Sequence, residues 1–123
     1  MEKIYDVTAL GELLIDFTEN GTSVQGNPLL EANPGGAPCN VLAMLEKLGK
    51  KTAFIGKVGK DMFGEQLKTA VEEVGIDTRN LVMDVRFVFC CSIFFTSGNR
   101  IIYFFGFFNK KKGTDPSIST LCC

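Results

Sequence analysis

The chain of 123 residues carries 13 Lys or Arg, 14 Asp or Glu and no His, with a formal net charge of −1. This length suits one domain with a hydrophobic core and is too short for two substantial domains. The near-zero charge argues against a nucleic acid partner. A chain without His, whose cysteines are not spaced as Cys-x-x-Cys, is not expected to form a metal site.

Three strand-like segments are predicted in the first 84 residues. The stretch YDVTALGELLIDF, residues 5–17, predicts one strand that ends at Asp16. Residues 18–34 are polar, with Asn-Gly and Gly-Asn-Pro turn signals, and predict a short excursion away from the sheet. KTAFIGKVG, residues 51–59, predicts a second, buried strand, and NLVMD, residues 80–84, predicts a third.

Two amphipathic helices are predicted between these strands. The first ends at Gly49, with Glu46 on its solvent side, and its predicted buried stripe comprises Val41, Met44, Leu45 and Leu48. The second starts after Asp61 as N-cap and ends at Gly75, and its stripe comprises Phe63, Leu67, Ala70, Val71 and Val74. This order predicts an α/β fold with a parallel sheet flanked by helices, in which ligands bind beyond the carboxyl ends of the strands.

The segment NPGGAPCN, residues 33–40, places two glycines directly before the first helix. Gly35 and Gly36 have no Cβ, so a ligand or another stretch of chain can approach the backbone closely. The N–H groups of the first helical turn point into the same space. A Gly-Gly pair before a helix is also an ordinary turn.

Asp16 and Asn40 are predicted to lie near this space. A carboxylate accepts two hydrogen bonds from neighbouring hydroxyls, and an amide both donates and accepts, so the pair suits a polyhydroxylated ligand. Asp16 also fits a turn or a helix cap, and Asn40 also fits a cap of its own helix.

GELLIDF, followed by NPGGAPCNVLAMLEKLGKKTAFIGKVGKDMFG, resembles the N-terminal portion of ribokinase-like (PfkB-type) carbohydrate kinases, most closely the bacterial fructokinases. The resemblance covers residues 4–84. Leu42 departs from the pattern, because the family usually has Ala, Ser or Thr there. The signature positions of the family are matched by Gly35, Gly36, Asn40, Gly49 and Gly59.

The resemblance implies a ribokinase-like α/β fold and transfer of the γ-phosphoryl group of ATP, with Mg²⁺, to a sugar hydroxyl. Fructose is the implied sugar, with ribose, adenosine and keto-deoxy-gluconate as alternatives. Residues 18–34 and a later hairpin are implied to form a β lid through which two copies pair. The residues implied to hold the sugar are Asp16, Gly35, Gly36, Ala37 and Asn40.

The Gly-Ala-Gly-Asp segment that carries the catalytic aspartate of the family, and beside which ATP binds, does not occur in these 123 residues. Gly59 and Gly64 have the spacing of a Walker motif, yet Glu65 and Gln66 replace its Lys and Ser or Thr. No catalytic residue is therefore assigned, and the chain is expected to be a truncated, frame-shifted or strongly diverged kinase that is inactive alone. The alternative is a non-catalytic fragment that keeps part of a sugar pocket or binds a partner through its hairpin.

The composition changes at Val85. Residues 85–123 hold 8 of the 11 Phe, 4 of the 5 Cys and 1 of the 14 acidic residues. Residues 1–84 are interpreted as the N-terminal part of a kinase domain, 85–108 as a degenerate lid hairpin and 109–123 as a disordered tail. The hairpin is too short to span a bilayer and the chain starts without a signal segment, so a cytoplasmic location is expected.

Overall fold

The computed structural model describes residues 4–97 and 100–109. These residues form two sheets, with strand orders β1-β4-β5 and β3-β2-β6-β7. In chain order the elements are β1 Val7–Leu10, β2 Leu14–Thr22, β3 Pro28–Gly35, α1 Ala37–Lys47, β4 Thr52–Gly59, α2 Met62–Glu73, β5 Asp77–Asp84, β6 Phe87–Ser97 and β7 Arg100–Asn109. In this described part, neither helix is long and apolar enough to cross a membrane.

The three-stranded sheet is parallel throughout, since β4 pairs in parallel with both β1 and β5. Both helices pack on the same core: Leu42 of α1 and Leu67 of α2 join Phe54 and Val58 of β4 in one buried cluster. Phe54 and Val58 lie on the same face of their strand because side chains alternate. The predicted α/β fold with a parallel sheet flanked by helices is confirmed.

The prediction of a single strand over residues 5–17 is wrong, because these residues form two strands in different sheets. β1 ends at Leu10, which pairs with Ile55, and the N–H of Gly11 donates to the carbonyl of the same Ile55 at 3.2 Å. The chain then leaves the parallel sheet. Gly11 permits this path, since a Cβ there would lie 2.6 Å from the Cγ atom of Pro38. A glycine inside an apolar run is the sequence signal for such a break.

Residues 18–34 lie mostly in the antiparallel hairpin of β2 and β3. The N–H of Ser23 donates to the carbonyl of Asn27 at 2.8 Å, and the N–H of Asn27 donates to the Ser23 hydroxyl at 3.1 Å, which closes its turn. β6 pairs in parallel with β2 and antiparallel with β7, so the Phe-rich region extends the same sheet. The division into kinase part, lid hairpin and tail stays a prediction, and residues 98–99 and 110–123 lie outside the described part of the chain.

The buried face of α1 differs from the predicted stripe. Cys39 and Leu42 are buried, and Glu46 faces the sheet, where its carboxylate accepts hydrogen bonds from the N–H and the hydroxyl of Thr52 at 2.6 and 2.7 Å. Because Thr52 is itself buried, these bonds fix the rotation of the helix. The predicted stripe is wrong for most of its length, since the exposed residues include Val41, Met44 and Leu48.

The predicted bounds and N-cap of α2 are confirmed, but its predicted buried stripe is wrong at Val74, which is exposed. The carboxylate of Asp61 accepts hydrogen bonds from the N–H groups of Phe63 and Gly64 at 3.0 and 2.9 Å. Leu67 and Val71 are buried, and the helix ends before Gly75. The N-cap satisfies two N–H groups that a helix start otherwise leaves without an acceptor.

Candidate functional site

The polar candidates lie on one face of the β2–β3 hairpin. Asp16 and Thr18 share a face of β2, because side chains alternate along a strand, and Asn33 of β3 lies directly opposite Asp16. On the other face, Ile15 is buried in the core and Phe17 packs against it. The hairpin therefore has an apolar face that holds it on the core and a polar face. Asp16 lies inside β2, so its predicted position at the carboxyl end of a parallel strand is wrong.

Asp16 and Gly35 are brought into contact. The carboxylate oxygen Oδ2 of Asp16 lies where a Cβ on residue 35 would stand, and the Cγ atom of Asp16 would be 2.8 Å from that Cβ. Only glycine leaves room for the carboxylate at this position. The structure therefore brings together two of the residues predicted to hold a ligand, at the point where β3 ends and α1 begins.

Gly36 is the N-cap of α1 and has a backbone that favours glycine, with φ 114° and ψ 125°. A Cβ there would lie 2.6 Å from the carbonyl oxygen of Glu12. Gly36 has no side chain that could cap the helix, and Pro38 in the first turn has no N–H. The N–H groups of Ala37 and Cys39 are first-turn groups without an intrahelical acceptor.

Asn40 lies in the first turn of α1 and is exposed. Its N–H donates to the carbonyl of Gly36 at 3.0 Å, so Asn40 is not the N-cap of its own helix. The residue lines a cavity of about 270 Å³ between α1 and α2, whose wall also includes Pro34, Gly35 and Cys39. Asn40 and Gly35 thus border a common space, and the ligand-binding role of each stays a prediction.

Cys39 also lines this cavity, with a side chain that is only 4% exposed. Burial raises the pKa of the Cys39 thiol to about 12, and the negative charge of Glu12 adds to the shift. A thiol with such a pKa stays protonated at neutral pH and is a poor nucleophile. The chemistry of the site therefore belongs to its carboxylate, amide and backbone groups.

Among the described residues, no group of three or more His, Cys, Asp or Glu could hold a metal ion, and the expected lack of a metal site stays a prediction. The Gly59–Gly64 segment is occupied by the chain itself, because Gly64 packs against the carbonyl of Gly59 and its N–H donates to Asp61. This segment therefore offers no backbone cradle for the phosphates of ATP.

Asn33 and Thr18 are residues of the polar face that the sequence pattern does not single out. The Nδ2 group of Asn33 donates to Oγ1 of Thr18 at 3.0 Å and to the carbonyl of Glu31 at 3.4 Å. The two-residue alternation outward from Asp16, combined with the hairpin turn, is the signal that points to them.

The chain is similar in sequence to carbohydrate kinases. Residues 5–118 match the family described as pfkB family carbohydrate kinase. Fructokinase-1 of Oryza sativa subsp. japonica is 41% identical over 80 residues, which cover 63% of this chain and 25% of that protein. A putative sugar kinase of Pyrococcus horikoshii is 42% identical over 80 residues, covering 63% and 26%. The chain thus spans about a quarter of the length of these curated relatives.

Solved kinase structures share the fold of this chain. The crystal structure of fructokinase from Xylella fastidiosa superposes with a TM-score of 0.74 at 27% identity, covering 80% of this chain and 31% of that one. The sugar kinase of Pyrococcus horikoshii in complex with ATP superposes with a TM-score of 0.71 at 33% identity, covering 80% and 33%. These matches confirm the predicted ribokinase-like fold.

Proposed function

Because the chain belongs to the pfkB family of carbohydrate kinases, we propose that it supplies the sugar-binding part of such a kinase and that the sugar is fructose. Curated and structural relatives named fructokinase support this choice of sugar. The observation that carries the proposal is the contact of the Asp16 carboxylate with Gly35 beside the glycine-capped start of α1.

The groups at this place complement a polyol. The Asp16 carboxylate accepts hydrogen bonds from two sugar hydroxyls, and bonds to a charged acceptor are stronger than neutral ones. The N–H groups of Gly36, Ala37 and Cys39 at the start of α1 donate to hydroxyl oxygens, and the amide of Asn40 both donates and accepts. A sugar whose hydroxyls act at once as donors and acceptors satisfies both sets.

In the kinase reaction, the oxygen of a sugar hydroxyl bonds to the γ-phosphorus, the bond from that phosphorus to the ADP oxygen breaks, and the hydroxyl proton passes to a base. The residues named here orient the sugar, and the β2–β3 hairpin, as a lid, keeps water from competing with the sugar. The base is not assigned, since these 123 residues contain no Gly-Ala-Gly-Asp segment.

ATP as phosphoryl donor is supported by the Pyrococcus horikoshii sugar kinase, which was solved in complex with ATP. Three further expectations stay predictions: Mg²⁺ bound with ATP, pairing of two copies through the lid, and a cytoplasmic location.

We expect no phosphoryl transfer by this 123-residue chain alone. The release of ADP from MgATP in the presence of fructose measures this activity directly. Turnover would contradict the expected inactivity and leave the sugar site in place.

Equilibrium dialysis against radiolabelled D-fructose tests the sugar site. We expect saturable binding, and an Asp16→Asn variant should lose at least about tenfold in affinity, because it loses a charged acceptor. Unlabelled ribose, adenosine and keto-deoxy-gluconate, added as competitors, rank the alternative substrates.

Glu19→Gln is the matched control for that variant. Glu19 lies on the same strand as Asp16 but on the opposite face, and it is exposed, so the control also removes one carboxylate charge from β2. Its affinity for fructose should equal that of the unmodified chain. Equal affinities for all three proteins, or the lack of saturable binding, would overturn the proposal.

A further inference from the structure

Asn33 lies beside Asp16, whose carboxylate is proposed to bind the sugar. It is the register partner of Asp16 across the hairpin, so the two side chains project from the same face as direct cross-strand neighbours. Asp16 leans toward Gly35, whereas the amide of Asn33 is bonded toward Thr18. The two side chains therefore occupy adjoining places on the polar face.

The orientation of the Asn33 amide is fixed. Its Nδ2 group donates to Oγ1 of Thr18 at 3.0 Å and to the carbonyl of Glu31 at 3.4 Å. An amide group is planar, so two bonds at the nitrogen also fix the direction of the oxygen Oδ1. Asn33 is a half-buried residue, and within residues 4–87 no donor bonds to this oxygen. Asn33 thus presents an oriented acceptor beside Asp16.

We propose that the Oδ1 atom of Asn33 accepts a hydrogen bond from one hydroxyl of the sugar that Asp16 holds, and that Thr18 positions Asn33 for this contact. The inference rests on the proposed function. Asp16 and Asn33 then recognise different hydroxyls of one polyol. A sugar that lacks the second hydroxyl leaves Asn33 without its partner and is discriminated against.

A cycle of variants and deoxysugars tests this contact. The probes are unlabelled D-fructose and its monodeoxy derivatives. Each probe displaces radiolabelled fructose from the unmodified chain and, in a parallel experiment, from the Asn33→Ala variant. The variant should bind fructose about fivefold more weakly, the effect of one lost neutral hydrogen bond. For one deoxyfructose, the variant and the unmodified chain should bind equally well, because the sugar has already lost the hydroxyl that Asn33 contacts.

Two further variants separate ligand contact from hairpin stability. Thr18→Val removes the acceptor that orients Asn33 and should weaken fructose binding about twofold, again with no effect on that same deoxyfructose. Asn20→Ala removes another amide of the hairpin, whose Nδ2 group bonds Glu31 at 3.3 Å, and should leave fructose affinity unchanged. Thermal melting of each variant reports the stability change separately.

The outcomes distinguish this inference from the proposal on which it rests. If the unmodified chain binds fructose and Asp16→Asn weakens binding while Asn33→Ala does not, Asn33 is no contact and the sugar site stands. An Asn33→Ala loss of equal size for every deoxyfructose also overturns the inference, because it indicates a purely structural effect. If the unmodified chain shows no saturable binding, both proposals fail.

Discussion

The two helices of this chain begin in opposite ways. At the start of α2, the Asp61 carboxylate accepts hydrogen bonds from the N–H groups of Phe63 and Gly64. At the start of α1, the N-cap is Gly36, which has no side chain and a φ of 114°. The first arrangement satisfies backbone N–H groups from within the chain, whereas the N-cap of the second has no side chain that could do so.

The glycines near the two helix starts also differ in what their missing side chains make room for. Gly64 of α2 packs against the carbonyl of Gly59, so the missing side chain permits close packing of helix on strand. Gly35 before α1 makes room for the Asp16 carboxylate instead. Gly64 thus serves packing at α2, whereas Gly35 admits a charged side chain beside first-turn N–H groups that have no intrahelical acceptor. Substitutions at and near the two helix starts test this difference.

The largest effect is expected from Gly36→Ala. A Cβ there meets the carbonyl oxygen of Glu12 at 2.6 Å, and the residue must also hold a positive φ. Together these should lower the free energy of unfolding by about 3 kcal/mol, measured by urea denaturation.

Gly49→Ala is the control, because Gly49 also has a positive φ, 78°, but no atom lies within 4 Å of its hypothetical Cβ. We expect a loss of about 1 kcal/mol, from the backbone alone. Equal losses for the two variants would show that the Gly36 site has no steric requirement.

A smaller change in stability is expected from the titration of Cys39, which lies on the buried side of α1. Burial raises the pKa of the Cys39 thiol from 9.0 to about 12 in the folded chain. Above pH 9 the unfolded chain releases this proton and the folded chain keeps it, so stability falls as pH rises toward 12. Between pH 8 and pH 10 this group should remove about 1.4 kcal/mol of stability.

Cys39→Ala isolates this group, since the other titrating groups remain in both proteins. The difference in unfolding free energy between the unmodified chain and the variant should shrink from pH 8 to pH 10. A constant difference would mean that the thiol titrates alike in the folded and unfolded chains.

The smallest effect is expected from Asp61→Ala, which removes the cap of α2. The unfolding free energy should fall by about 1 kcal/mol, and Asp61→Ser should recover most of it. Fructose affinity should not change in either variant, since this helix start contacts no proposed ligand. A loss of fructose affinity would contradict the contrast between the two helices.

Much of the fold could be predicted from local signals. Asp61 as N-cap, the strand before it and the parallel order of strands follow from residue types at short spacing. The buried face of α1 could not, because Glu46 is turned inward by its bonds to Thr52, a contact that periodicity does not encode. For the same reason Leu42, which departs from the family pattern, is fully buried.

The candidate site was predictable in its residues but not in its geometry. The glycine pair and Asp16 are visible in the sequence, whereas their contact depends on the chain changing sheets after Gly11. Because of that change, Asp16 is the third residue of β2, opposite Asn33, and does not end a parallel strand. Cross-strand register is a long-range property, so Asn33 is not recognisable from local pattern alone.

If the start of α1 binds a sugar and the start of α2 does not, the backbone N–H groups of the two helix starts will respond differently to fructose. Amide resonances of the ¹⁵N-labelled chain would be followed by NMR during titration with D-fructose. The account predicts saturable shifts for the N–H groups of Ala37 and Cys39 and none for those of Phe63 and Gly64. Shifts of equal size at both helix starts, or no shift at Ala37 and Cys39 at saturating fructose, would contradict it.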